Sequence, residues 1–367
     1  MYRKLLALNG MAILAVVLNH AAGEGFTAMF WWAHRYRLVV SPNYDMLGSP
    51  TYYALTLLQQ ITMFSVPAFL FISGYFVAYA AKSRYPGLSW RVVRTRIYRL
   101  LWPYIIWSIL IFVWNALING EVFSPLEYAR RLTFGGATGA YFFIPLLCQY
   151  YLVSPWLVRI AKNRPGWLLF LVIALQVLSI SLFYLKVRGF VISGSIIKSA
   201  WLFISNALYF TSGLVICLRT NEIIMRIKRF KKVLIGCTLL FAVASIVENE
   251  IINQLSSSLA YSGSPMKFTS ALFGLSFILT YISFDATENR SARYLTTIGT
   301  LSYGIYLVHP ELIILLSRII YHLAPYLLSL QLFFATILFV LGMGISILVV
   351  EGVRRSSFRR AYRYIFG

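Results

Sequence analysis

Charged side chains are scarce in this chain, and acidic ones are scarcest. Only 12% of the 367 residues are charged, and 33 Lys and Arg face just 11 Asp and Glu. With 59% hydrophobic residues, the chain has too little polar surface for a soluble domain of this size. It is therefore predicted to be an integral membrane protein.

Cysteine is also scarce, and its positions do not suggest a disulfide or a metal site. Cys148, Cys217 and Cys237 lie in apolar runs without ligand-like spacing, so we expect small buried side chains. The sequence has no His, Asp and Glu cluster with metal-ligand spacing, and no glycine-rich phosphate loop of the P-loop or dinucleotide type. We therefore expect no metal.

Apolar runs of about 20 residues recur along the whole chain. Ten membrane spans are predicted near residues 5–21, 58–81, 97–118, 140–158, 167–185, 199–217, 233–253, 268–284, 298–317 and 332–350. No linker separates them into soluble domains. The predicted fold class is all-α, a polytopic membrane helix bundle of about ten transmembrane helices in a single domain, residues 1–367.

The basic residues are distributed unequally between the two predicted sides of the membrane. With the N-terminus inside, 24 of the 33 Lys and Arg fall on the cytoplasmic side, which predicts that both termini are cytoplasmic. The net charge of +22 then reflects sidedness, so nucleic acid is not an expected partner. A cleaved signal peptide at the N-terminus is an alternative that the charge count leaves open.

The first span contains two polar residues on one face. In "LNGMAILAVVLNHA", Asn9 and His20 are eleven residues apart, so they lie within roughly 20° around the helix and about 16 Å apart along it. A histidine can take a proton from a hydroxyl near neutral pH. His20 is therefore a candidate general base, and the alternative is a hydrogen bond to a neighbouring helix.

A second histidine lies about midway along the ninth span. An ionisable group there is costly unless it is paired or functional, so His309 is also a candidate catalytic residue. Glu311 follows on a different part of the helix surface, where it either orients a histidine of another span or faces outer water. His34 and His322 fall in predicted outer loops, where solvated or interfacial roles are expected.

Four arginines are concentrated in front of the third span. The stretch "WRVVRTRIYRLLWPY" contains Arg91, Arg94, Arg96 and Arg99, and the last two are neighbours on one helix face. Such a cluster could hold phosphates through bidentate hydrogen bonds. The alternative is a topology anchor beside anionic lipid headgroups.

Five motifs, in order, resemble the acyltransferase 3 family of bacterial ten-span membrane proteins. They are "LNGMAILAVVLNH", "PAFLFISGYFVAYAAK", "RTRIYRLLWPYIIW", "AYFFIPLLCQYYLVSPWL" and "IGTLSYGIYLVHPELI". The resemblance spans nearly the whole chain. It implies transfer of an acyl group, usually acetyl from acetyl-coenzyme A, onto hydroxyls of envelope carbohydrate or a lipid-linked glycan. It also implies a multi-pass protein of the bacterial inner membrane.

The resemblance also assigns roles by position. His20 corresponds to the catalytic histidine of the first span, His309 to the ninth-span histidine, and Arg96 and Arg99 to the family's arginine pair. We expect the donor to be bound by these arginines together with Arg91, Arg94 and Asn9, and the acceptor by Glu311 and Tyr303.

One position departs from the family pattern. The family's first-span arginine falls on Asn9, which supplies no charge and no bidentate fork. A catalytically weak member, a transporter or flippase of an acylated glycan or glycolipid, and a structural partner of polysaccharide-export proteins therefore remain alternatives. The expected partners are a carbohydrate or glycolipid acceptor, membrane lipids and polysaccharide-assembly proteins.

Overall fold

The computed structural model describes residues 1–82, 88–190, 195–256, 264, 266–285 and 289–367, and this part of the chain forms helices and no β-strand. The first seven helices are α1 (Tyr2–Phe26), α2 (Pro50–Thr62), α3 (Ser65–Lys82), α4 (Trp90–Asn119), α5 (Pro125–Phe134), α6 (Phe143–Asn163) and α7 (Pro165–Val187). The others are α8 (Ser195–Leu218), α9 (Thr220–Arg229), α10 (Lys231–Ser256), α11 (Phe268–Ser283), α12 (Arg290–Leu323), α13 (Gln331–Arg355) and α14 (Tyr362–Ile365). The all-α prediction is confirmed.

Most of the predicted spans coincide with long apolar helices. Eight helical segments of the described residues are long and apolar enough to cross a membrane, and α2 with α3 counts as one of them. A ninth candidate is α8 followed by α9, a pair bent by 110°. The remaining predicted span, near residues 268–284, is α11, which is apolar but has only 16 residues. The protein is a polytopic membrane helix bundle.

The outward faces of these helices are apolar. On α10, for example, Leu239, Val243 and Val247 are all more than half exposed. Exposed aliphatic rows of this kind are stable only against lipid, because water would not solvate them favourably. The bundle surface therefore agrees with a membrane environment.

Helices α1 and α12 run in the same direction and pack very closely where they cross. A Cβ atom added to Gly10 would lie 2.0 Å from the backbone oxygen of Leu295, and one added to Gly299 would lie 1.9 Å from that of Leu6. Only glycine permits this approach, which is how small residues bring membrane helices together. The crossing fixes the alignment of α1 on α12, and both helices carry candidate catalytic residues.

Helices α3 and α8 form a second close pair. A Cβ atom on Gly74 would lie 2.0 Å from the Phe210 oxygen, and one on Gly213 would lie 2.0 Å from the Phe71 oxygen. Helix α3 contains Pro67 and is largely buried. It therefore lines the interior of the bundle rather than its outer surface.

Both ends of the described chain lie at one end of the bundle, termed the basic end. The Tyr2 ring contacts the Phe76 ring at a centroid distance of 5.7 Å, and Trp107 donates from Nε1 to the Ile365 oxygen at 3.0 Å. Gly367 lies beside Arg99. That the basic end is cytoplasmic stays a prediction.

Candidate active site

Two histidines from different helices meet inside the bundle. The rings of His20 on α1 and His309 on α12 have centroids 5.2 Å apart and planes inclined by 62°. His309 is fully buried, whereas His20 is half-buried. The structure thus brings together the two residues for which the sequence predicts a catalytic role.

The surroundings of His309 indicate which ring nitrogen carries the proton. Its Nδ1 lies 3.0 Å from the backbone oxygen of Ile305, one turn earlier in α12. Because a carbonyl oxygen only accepts, Nδ1 donates and Nε2 of the neutral ring is an acceptor. Nε2 is buried and has no hydrogen-bond partner among the described residues. It is therefore an acceptor without a donor, which costs about 1–3 kcal/mol.

A cavity of about 190 Å³ opens beside His20 and is termed the histidine cavity. Its walls come from α1, from α2 and α3, from the segment that enters α6, and from α12. The lining residues are Val16, Asn19, His20, Thr62, Met63, Ser65, Val66, Phe69, Gly139, Ala140, Phe142, Phe143 and Tyr306. Of the two histidines, His20 is the one that a bound molecule would touch.

Two tyrosines hold one wall of the histidine cavity in place. The Tyr306 hydroxyl donates to the backbone oxygen of Ala140, and the Tyr141 hydroxyl donates to that of Leu307 at 2.6 Å. These reciprocal bonds tie the segment before α6 to α12, immediately before His309. The wall opposite His20 is therefore fixed to the helix that carries the second histidine.

Glu311 is tied to the same segment but does not line the histidine cavity. Its carboxylate lies beside the Thr138 side chain and interacts electrostatically with Arg318. Arg318 in turn donates from Nη1 to Asn119 Oδ1 at 2.7 Å. Glu311 thus lies beside the cavity wall, and its role in acceptor binding stays a prediction.

Three of the four arginines line a larger cavity at the basic end. Arg91, Arg96 and Arg99 border a space of about 800 Å³, termed the arginine cavity, together with residues of α1 and α3. Arg96 donates from Nη2 to the backbone oxygen of Phe76 at 2.9 Å. No carboxylate is among the described lining residues. The arrangement provides three positive charges for an anionic group.

Arg94 and Tyr303, which were also expected at the substrates, lie outside both cavities. Arg94 is exposed on α4 and borders neither of them. Tyr303 donates its hydroxyl to the backbone oxygen of Leu100 at 2.6 Å, so it joins α12 to α4. Instead, it is Tyr306, one turn further along α12, that reaches the histidine cavity.

Asn9 lies between the two cavities. Its Nδ2 donates to the Gly299 oxygen at 2.9 Å and to Ser302 Oγ at 2.6 Å. Tyr2 lines the arginine cavity and Val16 the histidine cavity. Because Tyr2, Asn9 and Val16 are each seven residues apart, they fall within about 40° on one face of α1. Asn9 therefore lies two turns from each cavity, where the family pattern has an arginine.

The two cavities are separate. They share no lining residue, and on α3 Phe76 borders one and Phe69 the other, about 10 Å apart along the helix. Ser73 lies between these two on the same face and is half-buried. Asn9 on α1 and Ser73 on α3 thus occupy intermediate positions along their helices between the two cavities.

The expectation about cysteine and metals can also be compared with the structure. All three cysteines are free, with Cys148 and Cys217 buried and Cys237 half-buried. Among the described residues, no group of three or more His, Cys, Asp or Glu could hold a metal ion.

Comparison with known proteins gives a family. The acyltransferase 3 family model, described as an acyltransferase domain, matches residues 5–351. The chain belongs to the acyltransferase 3 family. It is accordingly a membrane acyltransferase of a family that typically acts on carbohydrates. No curated protein and no solved structure matches the chain.

Sequence reasoning missed several groups around the site. Tyr306 and Tyr141 were not selected, although Tyr306 is three residues before His309 and so neighbours it on the helix surface. Asn19 also lines the histidine cavity, and its Nδ2 donates to Thr62 Oγ1 at 2.8 Å. Asn19 directly precedes His20, and a second polar residue at that point of an apolar span was a usable signal.

Proposed function

We propose that the protein transfers an acetyl group from acetyl-coenzyme A to a hydroxyl of an envelope polysaccharide, a glycolipid or a lipid-linked glycan. The observation that carries this proposal is the His20–His309 pair, with His20 lining a cavity. The arginine cavity lies further along the same face of α1. A proton acceptor and an anion site on one face are the two features that such a transfer needs.

The chemistry assigned to His20 is general base catalysis. His20 removes the proton of the acceptor hydroxyl, whose oxygen attacks the carbonyl carbon of the thioester. The carbon–sulfur bond then breaks, an ester forms, and the coenzyme A thiolate takes the proton. A positioned base contributes about 10²- to 10⁴-fold to such a step.

His309 is assigned a positioning role. With its Nδ1 proton held by the Ile305 oxygen, its free Nε2 can accept a hydrogen bond from a ring N–H of His20. That bond would fix the tautomer of His20 so that its other nitrogen faces the acceptor hydroxyl. A base held in one tautomer by a second group is the arrangement that acyl transfer uses repeatedly.

The arginine cavity is assigned to the phosphates of the donor. Arg96 and Arg99 offer planar guanidinium groups that pair with phosphate oxygens, and Arg91 adds a third charge. The thioester would then reach His20 along Asn9 and Ser73. Because the cavities share no lining residue, this passage has to widen when the donor binds.

The size of the histidine cavity favours a small acyl group. At about 190 Å³, it is smaller than the roughly 300–1,000 Å³ of cavities that enclose drug-sized ligands. That volume suits an acetyl group and the reacting hydroxyl better than a long acyl chain. The remainder of the acceptor would lie outside the cavity.

The proposed location is the bacterial inner membrane, with the basic end cytoplasmic. The positive-inside rule supports this orientation, and cytoplasmic acetyl-coenzyme A would then enter at the arginine cavity. The acceptor would approach from the opposite face. Polysaccharide-assembly proteins are the proposed partners that deliver it.

The test uses the purified protein in lipid vesicles. Acetyl-coenzyme A carries one label on the acetyl group and another on the nucleotide, and the acceptor is a lipid-linked glycan fraction from cells that lack the gene. Transfer predicts acetyl label in the glycan that mild base releases, together with free coenzyme A thiol. Movement of glycan across the bilayer without new ester would support the transporter alternative and overturn the proposal.

A further inference from the structure

A second basic cavity lies at the same end of the bundle, on the other side of α1. It measures about 710 Å³ and lies between the starts of α1 and α12 and the end of α11. The cations Arg3, Lys4 and Arg293 line it, and Tyr281 and Phe284 provide aromatic walls. This space, termed the second basic cavity, shares no lining residue with the arginine cavity.

Among the described residues that line the second basic cavity, positive charges outnumber negative ones. The acidic residue of this described lining is Asp285, which pairs with Lys228 at an Nζ–Oδ1 distance of 2.5 Å. A hydrogen bond from Lys228 and its charge hold the pKa of Asp285 below its usual range. Because Lys228 does not line the cavity, it matches the carboxylate of Asp285 from outside, and the charges of Lys4 and Arg293 in the lining favour an anion.

The cavity is closed toward the histidine pair. It ends at Ala7 on α1 and at Thr296 and Thr297 on α12. The Gly10–Gly299 crossing follows directly, with no room for even a Cβ atom between the helices. A donor bound here could not pass along this interface to His20, so the cavity suits an anion with a different role.

A neighbouring helix has the character of a membrane-interface helix. Helix α9 turns 110° away from α8 and has Arg226, Lys228 and Arg229 in its last turn. Met225 and Phe230 beside them are exposed by 67% and 57%. Basic residues next to exposed apolar ones are typical of a helix that lies among lipid headgroups. The Lys228–Asp285 pair places α9 next to the cavity, at the level of the lipid headgroups.

We propose that the second basic cavity binds the phosphate of an anionic glycerophospholipid headgroup from the adjoining leaflet. Basic pockets between membrane helices recognise lipid phosphates in this way. Aromatic side chains at the cavity wall suit the boundary between headgroup and acyl chain. The shared chemistry is a phosphate ester, and a lipid is favoured over a soluble phosphate because an interfacial helix adjoins the cavity through the Lys228–Asp285 pair.

The experiment is native mass spectrometry of the full chain in micelles doped with phosphatidylglycerol or phosphatidylcholine. The test variant is Arg293→Gln, and the matched control is Arg290→Gln on the same helix. Arg290 bonds to the Tyr294 hydroxyl and does not line the cavity. Lys4 is left intact because it donates to the Ile282 oxygen at 2.8 Å and so holds α11.

The expected result is bound phosphatidylglycerol in the wild type and in the control. Arg293→Gln should weaken that binding about fivefold, from roughly 1 kcal/mol for an arginine near a headgroup. Equal losses for both single variants, or equal binding of phosphatidylcholine, would overturn the proposal.

Two competitors distinguish the source of the phosphate. Inorganic phosphate in the millimolar range should leave phosphatidylglycerol bound, because it lacks the apolar contacts. Acetyl-coenzyme A should also leave it bound, since the donor is assigned to the arginine cavity. If either competitor displaced phosphatidylglycerol, and did so only when Arg293 is present, the lipid assignment would be contradicted. The outcome does not depend on whether the histidines are catalytic.

Discussion

The His20 and His309 rings lie 5.2 Å apart, and the second of them has a buried Nε2 without a partner among the described residues. Two parallel helices joined at Gly10 and Gly299 hold the pair. This relationship explains the polar residues of the first span. Asn9 and His20 share a face because both contact α12, one at Ser302 and the other at His309.

The histidines are expected to act as a unit. His20→Ala and His309→Ala should each lower kcat by about 10²- to 10⁴-fold, and the double variant should be little worse than His20→Ala alone. His309→Gln should recover part of the rate, because an amide oxygen can replace Nε2 as acceptor. Initial rates of ester formation measure all four variants. Losses that multiply in the double variant would contradict a shared role.

The arginine cavity predicts an effect on donor affinity. Arg99→Gln should raise the KM for acetyl-coenzyme A about tenfold with little change in kcat, because a charge-assisted hydrogen bond is worth about 1.5–3 kcal/mol. Arg94→Gln is the matched control, since Arg94 is exposed on the same helix and borders neither cavity. If Arg94→Gln raised the KM as much as Arg99→Gln, the effect would come from the general surface charge and not from the arginine cavity.

A substitution at Asn9 is expected to lower the KM for acetyl-coenzyme A rather than raise it. Asn9→Arg restores the family arginine between the cavities, so the KM for acetyl-coenzyme A is expected to fall about tenfold. Asn9→Leu removes the donor to Gly299 and Ser302, and its melting temperature should be lower than that of the wild type. An unchanged KM in a folded Asn9→Arg protein would place the donor elsewhere.

The close packing of α1 on α12 predicts that a substitution that leaves both histidines in place still lowers activity. In Gly10→Ala, the added methyl meets the Leu295 oxygen, so α1 must shift against α12 and His20 moves relative to His309. A displacement of about 1 Å can cost about 10²-fold in rate. Gly344→Ala on α13 is the control, because nothing lies within 4 Å of its added Cβ. Full activity of Gly10→Ala would contradict the alignment.

The sequence predicted the helical bundle well because apolar runs report directly on membrane spans. It missed the bend between α8 and α9, where a basic stretch was counted as loop and forms an amphipathic helix. Lys267, just before the predicted span 268–284, is one of the nine Lys and Arg that fall on the predicted outer side. Its side chain is fully buried, with Nζ 2.8 Å from Gln60 Oε1 and 3.0 Å from Asn249 Oδ1. Partners on other helices decide such burial, and periodicity does not report them.

The sequence predicted the two histidines of the candidate site better than the residues that line the histidine cavity. His20 and His309 stand out because ionisable groups are rare in apolar helices. Tyr303 and Tyr306 look alike in sequence, and only the approach of the segment before α6 determines that Tyr306 reaches the cavity. Contacts between distant parts of a chain depend on how helices pack, so sequence spacing alone could not choose between them.

The most direct measurement is the rate of labelled acetyl transfer to glycan by His20→Ala. The matched variant is His34→Ala, whose ring bonds to Ser41 and Tyr321 far from the cavity lining. Both proteins should insert and fold, and only His20→Ala should lose about 10²-fold or more of the rate. Wild-type transfer by His20→Ala would contradict the account.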